Sequence, residues 1–214
     1  MNITDKLTQI QPFHADDVKI LQIITRYQGF FKIDEYHLQH RLFQGEFSKT
    51  LTREVFDRGD AVVLMPYDAI NDRVVFTCQF RPGALNREQT PWLLEFIAGM
   101  FAENENPIEV AIREAKEEAN LTLTEDDIYP IMQYLSSPGG TNENIHLYLG
   151  LIDSRNISGV YGLPEEGEDI LVTSFSRLEA MTLLAQGKIN NAATVIGLQW
   201  LALNHVKLQQ QVQP

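Results

Sequence analysis

The sequence predicts a mixed α/β sandwich (α+β class) preceded by a small antiparallel β domain. Three observations carry this expectation. Strand-like apolar runs alternate with a few helical patterns through most of the chain, which is the signature of sheets covered by helices. The stretch from Val18 to about Phe56 is β-rich without helical periodicity. Third, 44% of the 214 residues are hydrophobic and 21% charged, the composition of an ordinary globular chain with a real core.

In order, "VKILQIITRY", "GFFKIDEYHLQHRLF" and "EFSKTLTREVF" read as a three-stranded meander, with Gly29 and Gly45 near its turns. The turn-like "DRGD", Asp57 to Asp60, marks a boundary, giving a first domain over 1–57 and a second over 58–209. Strands follow at "AVVLMPYD", "RVVFTCQF" and "WLLEFIAG", then a helix after Asn106, then strands at "IYPIMQYL", "IHLYLGLI" and "ILVTSF". Two helical patterns, "RLEAMTLLAQG" and "NAATVIGLQWLALNHVKLQQQ", close the chain, with 210–214 expected to fray.

A formal net charge of −12 argues against nucleic acid or an anionic membrane surface as partner. A small anionic ligand stays open if a metal ion or local arginines supply counter-charge. The single cysteine, Cys78, excludes an intrachain disulfide and a cysteine zinc site. No signal-peptide pattern or membrane-length apolar run is present, so the cytoplasm is the expected location. The histidines show no zinc-ligand spacing with cysteine.

The stretch "REAKEEAN", Arg113 to Asn120, is the chemical signal. Asn106, Pro107 and Glu109 form a helix start. Ile108, Ala111, Ile112, Ala115 and Ala119 then define a buried stripe. Glu114, Glu117 and Glu118 share a face, with Arg113 four residues before Glu117. Asn120 stands where a left-handed terminal residue is expected. Taken alone, the glutamates fit either a solvated face or a site for a divalent cation, since Mg²⁺ needs only two or three carboxylates beside substrate phosphates.

The wider spacing decides between them. Gly99, five residues, Glu105, seven residues, and then Arg113-Glu114-Ala115-Lys116-Glu117-Glu118-Ala119-Asn120-Leu121 resembles the Nudix box of nucleoside diphosphate-X hydrolases, departing only in Asn120 where the family has glycine. "PWLLEFIAGM", "SSPGGTNE", "YGLPEEGEDI" and "GKINNAATVIGLQWL" are similar to the bacterial ADP-ribose pyrophosphatase branch, and Pro138 stands seventeen residues beyond Leu121, where that branch carries a proline.

The resemblance implies a Nudix-type α/β/α sandwich and specific roles. Glu114, Glu117, Glu118 and the carbonyl of Ala98 would bind two or three Mg²⁺ ions, with Mn²⁺ a substitute, and Glu118 would take part in catalysis. Gly99 would let the backbone approach the metal, and a Glu105–Arg113 ion pair would brace the loop. Glu166, with Glu168 in reserve, would be the general base on a mobile loop. Phe30, Arg53, Arg81, Glu95, Pro138 and Gly139 would contact the nucleotide sugar, in a homodimer that exchanges its N-terminal domains. Bland alternatives are a core role for Phe30, a surface cation for Arg81 and a solvent-facing Glu95. The implied reaction is Mg²⁺-dependent hydrolysis of ADP-ribose to AMP and ribose 5-phosphate. Another nucleotide sugar such as GDP-mannose, or a silent ADP-ribose sensor, are the competing possibilities.

Overall fold

The computed structural model describes residues 2–86 and 90–212. By contact the chain forms two compact units, residues up to 58 together with 137–143, and residues 59–136 together with those from 144 onward.

The first unit opens on α1 (Ile3–Ile10), a helix not expected from the sequence. Asn2 accepts the Asp5 N–H at 2.8 Å, and Asp5 reciprocates, closing a capping box that nucleates this short segment. Strands β1 (Val18–Gln28), β2 (Lys32–His40) and β3 (Leu51–Asp57) form the antiparallel meander that the apolar runs predicted. β2 lies in the middle and is half-buried, whereas β1 exposes Val18, Ile20, Leu21, Ile23 and Tyr27. Loop 137–143 closes on β3: the Phe56 N–H donates to Gly140 O at 2.8 Å, and Phe56 and Thr141 form a parallel bridge.

The second unit contains β4 (Asp60–Asp68), β5 (Arg73–Phe80), β6 (Trp92–Glu95), β7 (Ile97–Phe101), α2 (Pro107–Ala119), β8 (Ile128–Leu135), β9 (Asn144–Leu151), β10 (Gly159–Tyr161), β11 (Ile170–Ser176), α3 (Arg177–Ala185) and α4 (Ala192–Val212). Its sheet runs β10-β11-β5-β4-β9-β8, and β4–β9 pair in parallel while the others are antiparallel. β4 and β5 are paired only at Tyr67–Val74 and Asp68–Arg73 before they diverge. β7 then pairs with β4, and β6 with β5.

The expected single strand "WLLEFIAG" is therefore two strands, broken at Phe96. That ring is 1% exposed and stacks on Phe76 at 5.4 Å, and its N–H is received by Thr194 Oγ1 of α4 at 3.3 Å. The break follows from packing that no local window contains. β10 lies in what read as a polar loop, and α4 continues through Val212, past the expected start of the tail.

Two cores flank the sheet. Val63, Met65, Tyr67, Phe76, Phe96, Leu147 and Leu149 pack with α3 and α4. Val62, Leu64, Val75, Ile97, Ile170 and Val172 pack with α2. Each fully buried Leu, Ile or Phe among them contributes about 1.5–3 kcal/mol. The architecture is the α/β/α sandwich with a mixed sheet that the sequence predicted.

Candidate active site

α2 is positioned by its cap and its stripe. Asn106 Oδ1 accepts the Ile108 N–H at 3.0 Å, so the cap closes there and not through the expected Glu109 box. Val110, Ala111, Ala115 and Ala119 are buried on the sheet, and this turns Glu114 and Glu118 inward. Glu118 is 2% exposed, and its carboxylate accepts the Ala98 N–H at 3.1 Å. At the helix end Asn120 adopts φ 52 and ψ 27, the left-handed cap that the sequence predicted. Lys116 Nζ donates to its Oδ1 at 2.6 Å.

Gly99 is required by contact. A Cβ there would sit 2.2 Å from Glu114 Oε1 and 2.4 Å from its Cγ. The expected Glu105–Arg113 ion pair is not formed. Arg113 instead holds Glu114 at 2.9 Å and Glu117 at 3.0 Å, because those carboxylates lie on its own helix, one and four residues on. Glu105 is exposed and accepts the Ala102 N–H at 2.7 Å, bracing its own turn.

Burial pushes Glu114 up to about 7, with Glu117, Glu168 and Glu166 adding to the rise against Arg113. Burial likewise raises Glu118 to about 8, opposed by the Ala98 N–H and Arg81 and reinforced by Glu114 and Glu168. The loop glutamates thus lie within electrostatic reach of the helix. Glu168 Oε2 accepts the Leu163 N–H at 3.0 Å, and the Gly162 N–H donates to Glu117 O at 3.2 Å. Glu166 is exposed and is followed by Gly167, whose φ of 74 is left-handed. On the β5–β6 limb, Arg81 Nε donates to Glu95 Oε2 at 2.7 Å; the Glu95 side chain is 13% exposed and so does not face solvent, whereas that of Arg81 is 40% exposed.

These donors fit a hard divalent cation. Glu118 is a buried and Glu114 a partly buried carboxylate, whose acidity a nearby cation would restore, with Glu117 alongside. The Ala98 carbonyl lies on the same strand edge as the N–H that reaches Glu118, since both groups of a strand residue point the same way. Among the described residues no three His, Cys, Asp or Glu side chains stand together so as to hold a metal ion between them. Arg113 pairs with Glu114 and Glu117, while Glu118 accepts from Ala98.

The remaining sequence-selected residues lie in the first unit. Phe30 is 86% exposed, which removes its core alternative, and its ring meets Phe31 edge-on at 4.8 Å. Arg53 is exposed, with Nη1 on Thr52 O at 2.8 Å. Pro138 and Gly139 form the tip of a turn in which the Gly140 and Thr141 N–H groups donate to Ser137 O.

Residue-level reasoning missed Asn191 and Thr194, which fix the β6–β7 break. Asn191 Nδ2 donates to Leu94 O at 2.9 Å, and Thr194 Oγ1 accepts from Phe96. Only their place within "GKINNAATVIGLQWL" drew notice to them.

The sandwich, the box helix and the inward glutamates define a Nudix protein. Residues 57–211 match the NUDIX domain model, and the chain belongs to that family. It is 46% identical over 197 residues to the ADP-ribose pyrophosphatase of Escherichia coli (strain K12), covering 92% of this chain and 93% of the relative. It is 41% identical over 208 residues to the ADP-ribose pyrophosphatase of Haemophilus influenzae, covering 96% and 95%. A GDP-mannose pyrophosphatase of Escherichia coli O1:K1 is 32% identical over 72% of this chain and 79% of its own. A crystal structure of an ADP compounds hydrolase shares the fold, with TM-score 0.64 at 19% identity, covering 92% and 97%.

Proposed function

We propose that this protein hydrolyses the diphosphate bond of ADP-ribose, giving AMP and ribose 5-phosphate, with Mg²⁺ as cofactor. The observation that carries the reading is the inward pair Glu114 and Glu118, the first partly and the second fully buried on one helix face, with the Glu166–Glu168 loop in electrostatic reach. The extended identity to ADP-ribose pyrophosphatases supports the substrate.

Glu114, Glu117, Glu118 and the Ala98 carbonyl would hold two or three Mg²⁺ ions, which supply charge neutralisation of the diphosphate and lower the pKa of water. Arg81 binds a phosphate oxygen in a charge-assisted contact. Glu95 orients Arg81 through their hydrogen bond. Glu166 takes the proton from the attacking water. As the water oxygen bonds to phosphorus, the bridging P–O bond breaks and its electrons leave with the second phosphate. Gly167 gives this loop the freedom to swing, and Glu168 anchors it through Leu163. Phe30 stacks on adenine, and Arg53, Pro138 and Gly139 complete nucleotide contacts in a homodimer with exchanged N-terminal domains, a cytoplasmic enzyme. The exposed apolar row on β1 supports such a partner.

The test is chromatography of products after incubation with ADP-ribose or GDP-mannose, with Mg²⁺ and with chelator. AMP and ribose 5-phosphate formed preferentially and only with metal are expected. Preference for GDP-mannose, the substrate named for the 32% identical relative, would keep the site chemistry and reject the ADP-ribose assignment.

A further inference from the structure

Gln79 lies on β5 two residues before Arg81 and is 7% exposed. Its Nε2 is buried and meets no acceptor among the described residues. A buried amide donor without a partner is costly, native chains keep few of them, and such a group calls for a reason.

Its surroundings narrow the reason. Strand alternation puts Val75, Thr77, Gln79 and Arg81 on one face, and Val75 packs in the core beneath α2. The face is therefore the one that carries the box helix. Opposite Gln79 stands Leu93 on β6. On the other side, the register that pairs Leu171 with Cys78 continues to Ile170, which is fully buried. Neither side chain can accept a hydrogen bond. Glu95, opposite Thr77, has one carboxylate oxygen engaged by Arg81. The donor is thus flanked by apolar side chains on both neighbouring strands, and the next residue along its own face is Arg81, the cation of the site.

We propose that Gln79 is a substrate-binding residue whose Nε2 donates to a non-bridging oxygen of the diphosphate that Arg81 draws in. The assignment rests on the diphosphatase reading above. A neutral amide suits this place: it adds a donor for an anionic oxygen without a second positive charge to compete with divalent cations for the glutamates. Buried, it also has no water to displace at the moment of binding.

The test compares wild type with Gln79→Met, which keeps the length and removes the donor, and with Gln79→Glu, which keeps the size and adds negative charge. Three quantities are measured: the Kd for ADP-ribose by calorimetry with chelator present, steady-state kcat and KM with Mg²⁺, and Tm without ligand. Gln79→Met is expected to raise Kd and KM about tenfold, the loss of one hydrogen bond to an anionic acceptor, with kcat changed less. Its Tm should be equal or higher, because an unpaired donor has been replaced by an apolar side chain. Gln79→Glu should bind more weakly still.

An unchanged Kd in Gln79→Met, with or without a fall in Tm, overturns the proposal and makes Gln79 structural. If wild type binds but does not hydrolyse ADP-ribose while Gln79→Met binds more weakly, the activity fails and the Gln79 contact stands. If wild type hydrolyses and Gln79→Met matches it in Kd and KM, the contact fails and the activity stands. A wild type that neither binds nor turns over ADP-ribose overturns both.

Discussion

The carboxylate of Glu114 lies against the α-carbon of Gly99 so closely that any side chain at 99 would overlap it, at 2.2 Å from Oε1. The glycine sets where the glutamate can be, and through it the spacing between β7 and the glutamate-bearing face of α2. Gly99→Ala should therefore move Glu114. Because a carboxylate can yield more easily than backbone, the stability loss should stay within about 1–3 kcal/mol. Turnover should fall on the order of a hundredfold, since small misplacements of catalytic groups cost that much. Thermal melts beside kcat check it; a variant with normal turnover would refute the role of this contact.

Glu118→Gln separates fold from chemistry. The amide resembles the protonated acid, so the variant should melt at or above wild type while turnover drops at least a hundredfold. Near-normal activity would remove Glu118 from the metal-binding set.

The same burial gives a pH dependence in metal-free protein. Glu118 and Glu114 are raised to about 8 and about 7, whereas an unfolded glutamate titrates near about 4.3. Between those values the folded chain holds protons that the unfolded chain has lost, so stability falls as pH rises through that window. With chelator, Tm should decline from pH 5 to pH 9, by several degrees on the usual scale. Excess Mg²⁺ should flatten the decline, because the cation replaces the protons. A Tm flat in pH without metal would contradict the burial of these carboxylates.

Asn120 tests the departure from the family box. Its left-handed backbone suits Gly as well, and Asn120→Gly gives up only an exposed contact with Lys116. Stability should change by no more than about 1 kcal/mol, and kcat by less than twofold. Asn120→Val, a β-branched residue at positive φ, should cost roughly 1–2 kcal/mol. Chemical denaturation of both variants is the measurement.

Asp68 holds the β4–β5 turn. It is 1% exposed and accepts from the Ile70, Asn71 and Ser154 N–H groups, from Asn71 Nδ2 and from Ser154 Oγ. Burial pushes its pKa up, but the hydrogen bonds from Asn71 and Ser154 outweigh this and leave it below the ordinary value. Its contribution is therefore present above about pH 4, the unfolded value, and is lost as pH falls through the folded one. Asp68→Ala should cost about 2–3 kcal/mol at neutral pH, mainly from stranding Ser154, and less in acid.

The box helix was legible because its information is local: the Asn106 cap, the stripe, the shared face of the glutamates and the Asn120 terminus are all written within fifteen residues. The sandwich was legible from runs of apolar residues whose length and periodicity need no partner to be read. What escaped depends on distant partners. The β6–β7 break requires Phe76 and Thr194, both far from Phe96 in sequence. Arg113 was assigned to Glu105 by family resemblance, while its own helix offers two closer carboxylates. Gln79 carries no motif, and only burial exposes that its Nε2 meets no acceptor among the described residues. The helix α1 is short enough that its capping box, not periodicity, is the cue.

The segment 137–143 leaves one compact unit between β8 and β9, completes the other, and returns. The chain thus passes between the units three times, at 58–59, 136–137 and 143–144. A cut near residue 58 would not release a self-sufficient amino-terminal piece, because the strand edge at Phe56 would lose the Gly140 and Thr141 backbone that finishes it. Assembly of the meander is likewise completed only after β8 has been synthesised, some eighty residues later. Swapping this amino-terminal region between relatives would require transplanting both stretches together.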